Sequence, residues 1–425
     1  MVSAESLDSL SVATERPKTF LDPIVVRAFE TRTGRVAAVI QHVGNPQWGF
    51  GLNAQGGWRV NVQLGQGSTD TERRAYKEFL DGVADPWRFS WAVCQGSKIW
   101  QAGPVTNEEY SEGTTTTVVG SGLWRYLTDK RVLVNPARAT LRGIAGADAD
   151  VAFGISATSE IGSVIPADRQ NLALHTIAKR IMQVITAATG GNLPVIYPDD
   201  VAGTAVRTYP GYELASVGQR LFELSQVVSG PEIEFRPEFV DPVAKDYIRW
   251  VMRIGNPRLG NLGYPHAFDY GQALVKINRS TDGTERTGRD WDVGNGMERD
   301  LVFGFYDQPL GADSAALLLE NVGRNHAGSG NMTELDGYAQ GQVVTNVSSK
   351  TTHVATIRIA GDNNVNEQTR SPILTVVEVG DNCLAQLKDH PRITDGLYYF
   401  RIMSLASGTK ASEAVAQLML LGRAS

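Results

Sequence analysis

Chemistry in this chain would have to come from its histidines, its neighbouring carboxylates or a serine in a sharp turn. Each set is arranged poorly for it. The six histidines are His42, His175, His266, His326, His353 and His390. No two fall at metal-ligand spacing, and no HExxH pattern occurs. His175 lies beside a helical apolar stripe, where a structural histidine belongs. Gly120-Ser121-Gly122 approaches a nucleophile elbow, but the spacing to the second glycine fails. Ser121 reads instead as a helix N-cap after a strand. Gly49-Phe50-Gly51 and Gly65-Gln66-Gly67 are lone fragments of phosphate-loop patterns and read as turns; no Walker A or dinucleotide fingerprint exists. Asp362, Asn364 and Asn366 imitate the start of a calcium loop. Glu367 replaces the required glycine, and Ile373 takes the place of the bidentate glutamate, so an inter-strand loop is favoured, with calcium as the alternative. Asp199-Asp200 and Asp148/Asp150 sit among Pro and Gly and read as solvated loops; glycoside hydrolysis needs carboxylates on opposite sides of a sugar. The expectation is therefore a protein that is not an enzyme, with no catalytic, cofactor-binding or metal-binding residue and no cofactor.

Eight tryptophans, Trp48, Trp58, Trp87, Trp91, Trp100, Trp124, Trp250 and Trp291, raise the alternative of a sugar-stacking surface. Trp58, Trp91 and Trp250 fall inside alternating strands, where core burial is the simpler account. Cys94 and Cys383 belong to no CxxC or Cys/His cluster and are expected to be free, buried thiols.

The net charge is -6, from 40 basic and 46 acidic residues, with no basic run. That excludes a dedicated nucleic-acid binder, which needs a basic face. It is compatible with a mildly acidic lumen through which DNA passes. No apolar run is long enough to span a bilayer. The polar start, Ser3-Ala4-Glu5-Ser6-Leu7-Asp8, is no signal peptide. Synthesis in a host cytoplasm and no stable membrane insertion are the expectations.

The elements are mostly strands. With 44 Gly and many Thr/Val-rich runs, turns are frequent and a β-rich fold is expected. Strands are expected over 35–43, 58–64, 88–93, 98–100 and 114–119, with a helix over 71–81 between them. Such a series suggests a barrel or sandwich. Apolar residues at spacings of three and four predict helices over 168–188 and 215–228, and Ser121 is expected to cap a short helix through Leu127. Strands return over 232–236 and 248–254 as a hairpin. A second hairpin is expected over 274–286 around Asp282-Gly283. A strand follows at 301–306, then a helix over 313–325 capped by Asp313. A glycine-rich loop is expected over 328–341. The last strands are expected over 352–360, 373–379, 396–404 and 416–421. At about 100–200 residues per domain, 425 residues make two to four domains.

The order of these parts carries a resemblance. A β-domain leads into Gly120-Ser121-Gly122-Leu123-Trp124-Arg125-Tyr126-Leu127 and Arg131-Val132-Leu133-Val134-Asn135-Pro136. Helices follow, then Tyr212-Glu213-Leu214 and Val217-Gly218-Gln219-Arg220-Leu221-Phe222-Glu223-Leu224, then the 232–236 and 248–255 strand pair. The sequence resembles minor tail proteins of actinobacterial siphophages. Those are similar to tail-associated hub proteins of other long-tailed bacteriophages and to the baseplate hub of contractile tails. The resemblance rests on order and texture from about Leu21 onward; no short motif in it is diagnostic.

It implies a mainly β fold with α/β insertions (α+β), a tail hub with two tube-type β-barrel domains interleaved along the chain. The segments would be a flexible N-terminal arm (1–20), a first β-barrel hub domain (21–120) and a helix-rich α/β domain (121–230). A β domain partly completing the first barrel (231–310), a helix and Gly-rich loop (311–345) and a C-terminal β domain (346–425) would follow. It further implies a virion structural protein at the tail tip: a homotrimeric ring joining tube to tip and enclosing the DNA-ejection channel. Its partners would be the distal tail protein, the tape measure protein and other minor tail proteins, with genomic DNA passing without sequence-specific binding. Hydrolase or receptor-binding extensions of such hubs are not expected, since the chain stops near the end of the hub core. The alternatives are a distal tail ring component and a carbohydrate-active or carbohydrate-binding β-protein.

Overall fold

In the computed structural model of the chain, the described residues are 23–110, 112–135, 150–153, 172–209, 211–227, 229–263, 266–308, 317–323, 330–358 and 377–424. They form two compact units. Ile277–Val354 is one, and the chain on either side of it is the other.

The larger unit begins with β1 (Ile24–Glu30), β2 (Val36–Ile40), β3 (His42–Gly51), β4 (Gly57–Gln63), α1 (Asp70–Val83), β5 (Phe89–Gln95), β6 (Lys98–Tyr110) and β7 (Thr115–Ser121). In β4 the period of two is plain: Trp58, Val60 and Val62 are buried while Arg59 and Asn61 are exposed. Helix α1 starts where Thr69 and Glu72 form a reciprocal capping box. Strand β6 changes partner midway. Its first half pairs with β5 up to Pro104, and its second half pairs with β7 from Val105. Proline lacks an N–H to give a ladder, so Pro104 suits the hand-over point.

Helices and short strands follow: α2 (Leu123–Asp129), β8 (Val151–Phe153), α3 (Leu174–Thr186), β9 (Val195–Ile196), β10 (Arg207–Tyr209), α4 (Val217–Gln226), β11 (Ile233–Phe239), β12 (Ile248–Ile254), β13 (His266–Asp269) and β14 (Leu274–Asp282). The apolar stripes of α3 and α4 meet as the periodicity requires. Ile177, Ile181, Ile185, Leu221 and Leu224 share one core with Met252 and Ile254 of β12. A second core joins Phe29, Ala92, Ile99 and Ala102 to Phe239, Ile248 and Trp250.

The smaller unit holds β15 (Arg289–Val293), β16 (Phe303–Asp307), β17 (Glu320–Gly323) and α5 (Met332–Asn346). Its sheet runs β16-β15-β17. The chain then gives β18 (Lys350–Arg358), β19 (Asn382–Leu387), β20 (Gly396–Ser407) and β21 (Glu413–Arg423). In the larger unit one sheet path reads β21-β20-β3-β4-β7-β6-β5-β1-β2, with β19 also pairing β20 and β13 pairing β19. The fold is mainly β with helical insertions. No closed barrel is found among the described residues.

Several local expectations change. The hairpin over 274–286 does not form: β14 runs to Asp282, residues 283–288 form no strand, and the sheet places β18 beside β14. The stretch 320–323, expected at the end of a helix, is strand β17, parallel to β15; the start of that expected helix at Asp313 lies outside the described residues. The expected glycine-rich loop is helix α5 from Met332 onward, because Leu335, Ala339 and Val343 lie at a spacing of four and are fully buried. Ser121 ends β7, and Gly122 is the N-cap of α2. Strand β19 went unforeseen. Of the strand expected over 373–379, residues 373–376 lie outside the described residues and Val377–Val379 are not strand.

Candidate functional site

No three His, Cys, Asp or Glu side chains converge to hold a metal among the described residues. His42 bonds the backbone carbonyls of Gly44 and Ile24 at 3.0 and 3.1 Å. His175 is buried on α3, and burial, with Lys179 nearby, holds its imidazole below the usual range. His353 is buried and shifted the same way, by burial first and then by Arg279. His390 stacks edge-on against Tyr270 and accepts the N–H groups of Arg392 and Ile393. His326, Asp148, Asp362, Asn364, Asn366, Glu367 and Ile373 lie outside the described residues.

The other sequence candidates take structural places. Ser121 is 1% exposed, and its hydroxyl has no hydrogen-bond partner among the described residues. Asp200 bonds Lys179 at 2.7 Å and Arg180 at 2.6 Å, and Lys179 is the main reason its carboxyl stays below the usual range. Asp150 accepts the Gly211 N–H at 2.8 Å. Trp58 stacks on Trp91 at 5.5 Å, and Trp48 on Trp100 at 4.4 Å. With Trp124 and Trp250 these are core side chains. Both cysteines are free and buried, which pushes each thiol up to about 12.

Sequence reasoning missed two dense gatherings of charge among the described residues of the larger unit. Arg401 points inward from β20 and is 2% exposed. Its guanidinium takes both carboxylate oxygens of Glu232 and donates to the carbonyls of Gly380 (3.0 Å) and Leu259 (2.9 Å). Beside it, Asp381 bonds His266 at 2.9 Å and the Asn261 N–H at 2.7 Å. Burial opposes ionisation of Asp381, but these bonds outweigh it and keep the carboxyl below its usual range. Gly260 and Gly380, both at positive φ, let the two loops touch backbone to backbone. A Cβ on Gly260 would lie 2.2 Å from the Gly380 carbonyl carbon.

A second group lies across β6, β11 and β12. Arg253 bonds Glu234 and Glu378, each at 2.8 Å, and Arg236 also pairs with Glu378. Burial raises the Glu234 carboxyl despite Arg253 and Arg236. Lys98, over the Trp100 ring at 5.6 Å, is pushed down to about 8, by burial first and then by Arg236. The signal available in the sequence was Arg401 itself, a lone cation in an otherwise apolar strand. Both groups tie strands far apart in sequence. Neither presents an acid and a base across an open cleft.

The surfaces are broad. On β3, β4, β6 and β7 the solvated face carries Gln47, Arg59, Asn61, Asn107, Glu109 and Thr115, with Arg59 paired to Glu109 at 3.4 Å. It is polar and charge-balanced. An open hollow over this sheet is bounded by Asn45, Arg59, Ser121, Arg125 and Thr409. Strand β2 ends the sheet path and has no charged residue; among the described residues its outer edge is met only at its start, by the Arg35–Tyr247 bridge. Among the described residues no helix is long and apolar enough to cross a membrane.

No family model matches the sequence, and no curated protein matches it. Solved structures do. The 43 kDa tail protein of prophage MuSo2 from Shewanella oneidensis aligns with a TM-score of 0.54 at 11% identity, over 94% of this chain and 98% of that one. A tail protein from Neisseria meningitidis MC58 aligns at 0.48 and 13% identity, over 93% and 96%. Prophage tail protein gp18 from Listeria monocytogenes EGD-e aligns at 0.43 and 7%, over 95% and 96%. At such identity the first likeness is one of fold, and the two weaker ones add nothing to it.

Proposed function

We propose that this chain is a non-enzymatic structural protein of a long-tailed bacteriophage, built into the tail-tip hub. One observation carries the reading: the fold matches a prophage tail protein over nearly the whole of both chains. The site chemistry supports it, since Arg253, Glu234, Glu378, Arg401 and Glu232 are spent on internal pairs.

In this reading three copies close a ring that joins the tail tube to the tip in the virion. The 21–120 segment and the C-terminal β domain supply two tube-type barrels, and the 231–310 segment partly completes the first. The packing of Phe29 and Ala92 against Ile248 and Trp250 supports that completion. Heterologous contacts about a threefold axis would cover exposed strand edges such as β2. The charge-balanced face of β3, β4, β6 and β7 suits a channel that DNA crosses without being held. Adjacent partners are the distal tail protein, the tape measure protein and other minor tail proteins, in the manner of siphophages of actinobacteria.

Cryo-electron microscopy of assemblies containing the chain tests this. A threefold ring with an open channel supports the hub. A sixfold ring moves the chain to the distal tail component. A monomer that turns over cell-wall glycans overturns the structural reading.

A further inference from the structure

We propose that the cavity beside Lys98 is a binding site for a single carboxylate group. It lies wholly in the larger unit, lined by Lys98, Trp100, Arg236 and Arg253 with Phe50 and Val379 among its apolar walls. Its enclosed volume is about 20 Å³, and it opens to solvent. That leaves room for a small headgroup reaching in from the solvent side and excludes a sugar ring.

Charge is the argument. Three cations, Lys98, Arg236 and Arg253, face two carboxylates, Glu234 and Glu378. The carboxylates are already engaged: Arg253 bridges both, and Arg236 takes Glu378. The Lys98 ammonium has no hydrogen-bond acceptor and no carboxylate partner among the described residues; its contact is the Trp100 ring. A half-buried ammonium with three donors and no acceptor is incomplete, and desolvation depresses its basicity. One added carboxylate balances the set, accepts from Lys98 and rests its carbon stem on Phe50 and Trp100. Phosphate, with its larger charge and hydration, fits the partly apolar wall less well.

The carboxylate has two sources, an acidic side chain of a neighbouring polypeptide or a free small acid. On the full-length chain the probe is sodium acetate, titrated at constant ionic strength against sodium chloride. The readout is the Lys98 side-chain resonance and its apparent pKa. Acetate should shift the resonance saturably and raise that pKa by about one unit, as an opposite charge at contact distance does. Chloride should not. K98M should weaken acetate binding about tenfold or more, and K98R should retain it. Carbodiimide treatment of assembled particles then separates the sources. An amide from Lys98 to an Asp or Glu of another chain identifies a protein side chain; saturable acetate binding without that amide identifies a free acid. A response to acetate equal to that for chloride, or unchanged in a folded K98M, overturns the site. It leaves the tail-hub reading untouched, because that reading is decided by ring symmetry.

Discussion

At Arg401 a guanidinium replaces what would otherwise be an apolar knob of β20, and it bonds Glu232 with both forks. Removing one partner of such a buried pair strands the other charge. R401M is expected to cost about 3 kcal/mol, more than its loss of packing alone would explain. Urea unfolding of R401M, E232Q and the double variant checks this, with the double variant recovering part of the loss. His175 supplies the pH signal. Its folded pKa lies below the ordinary 6.5 because burial disfavours the charged ring. As pH falls below about 6.5 the unfolded chain gains a proton that the native chain does not, so stability drops towards the folded pKa. Melting curves between pH 8 and pH 5 should show that loss (roughly the window those pKa values set), and H175Q should reduce it.

Among the elements, α5 shows how packing overrides texture. Its glycines suggest a loop, yet Leu335, Ala339 and Val343 bury one side of it. The helix comes so close to β16 that a Cβ on Gly304 would lie 2.2 Å from the Leu335 carbonyl carbon. G304V is therefore expected to destabilise the smaller unit by about 3 kcal/mol through overpacking. Trp291, the single tryptophan between Ile277 and Val354, reports it by fluorescence. An unchanged unfolding midpoint would show that α5 yields without cost. Had 328–341 been a loop, its deletion would test assembly alone. Deleting 328–341 now removes most of a core helix, so it probes folding of the unit before it probes assembly.

For the whole molecule, β2 is the test strand. Val36-Ala37-Ala38-Val39-Ile40 carries no charge or proline to discourage pairing, and Val39 is 54% exposed. A lysine there is the usual guard of a free edge. V39K is expected to leave the monomer's circular dichroism and melting midpoint unchanged while abolishing the proposed ring, as read by light scattering and electron microscopy. Rings of normal stoichiometry from V39K would remove β2 from the assembly surface.

The sequence by itself determined what local physics governs. Alternation made β4 and β12 strands, the three-four spacing made α3 and α4 helices, and Gln95 to Lys98 closed a hairpin around Gly96. Tertiary structure alone decided the rest. That β14 lies beside β18 rather than a neighbouring strand, that β20 pairs β3, and that Arg401 meets Glu232 across 169 positions are long-range choices. A strand's own residues specify which face is buried, but its partner is chosen by the total burial and hydrogen bonding of the whole chain. The charge clusters were hidden for the same reason: an isolated Arg or Glu in a strand shows its burial only when the strand that pairs its charge is in place.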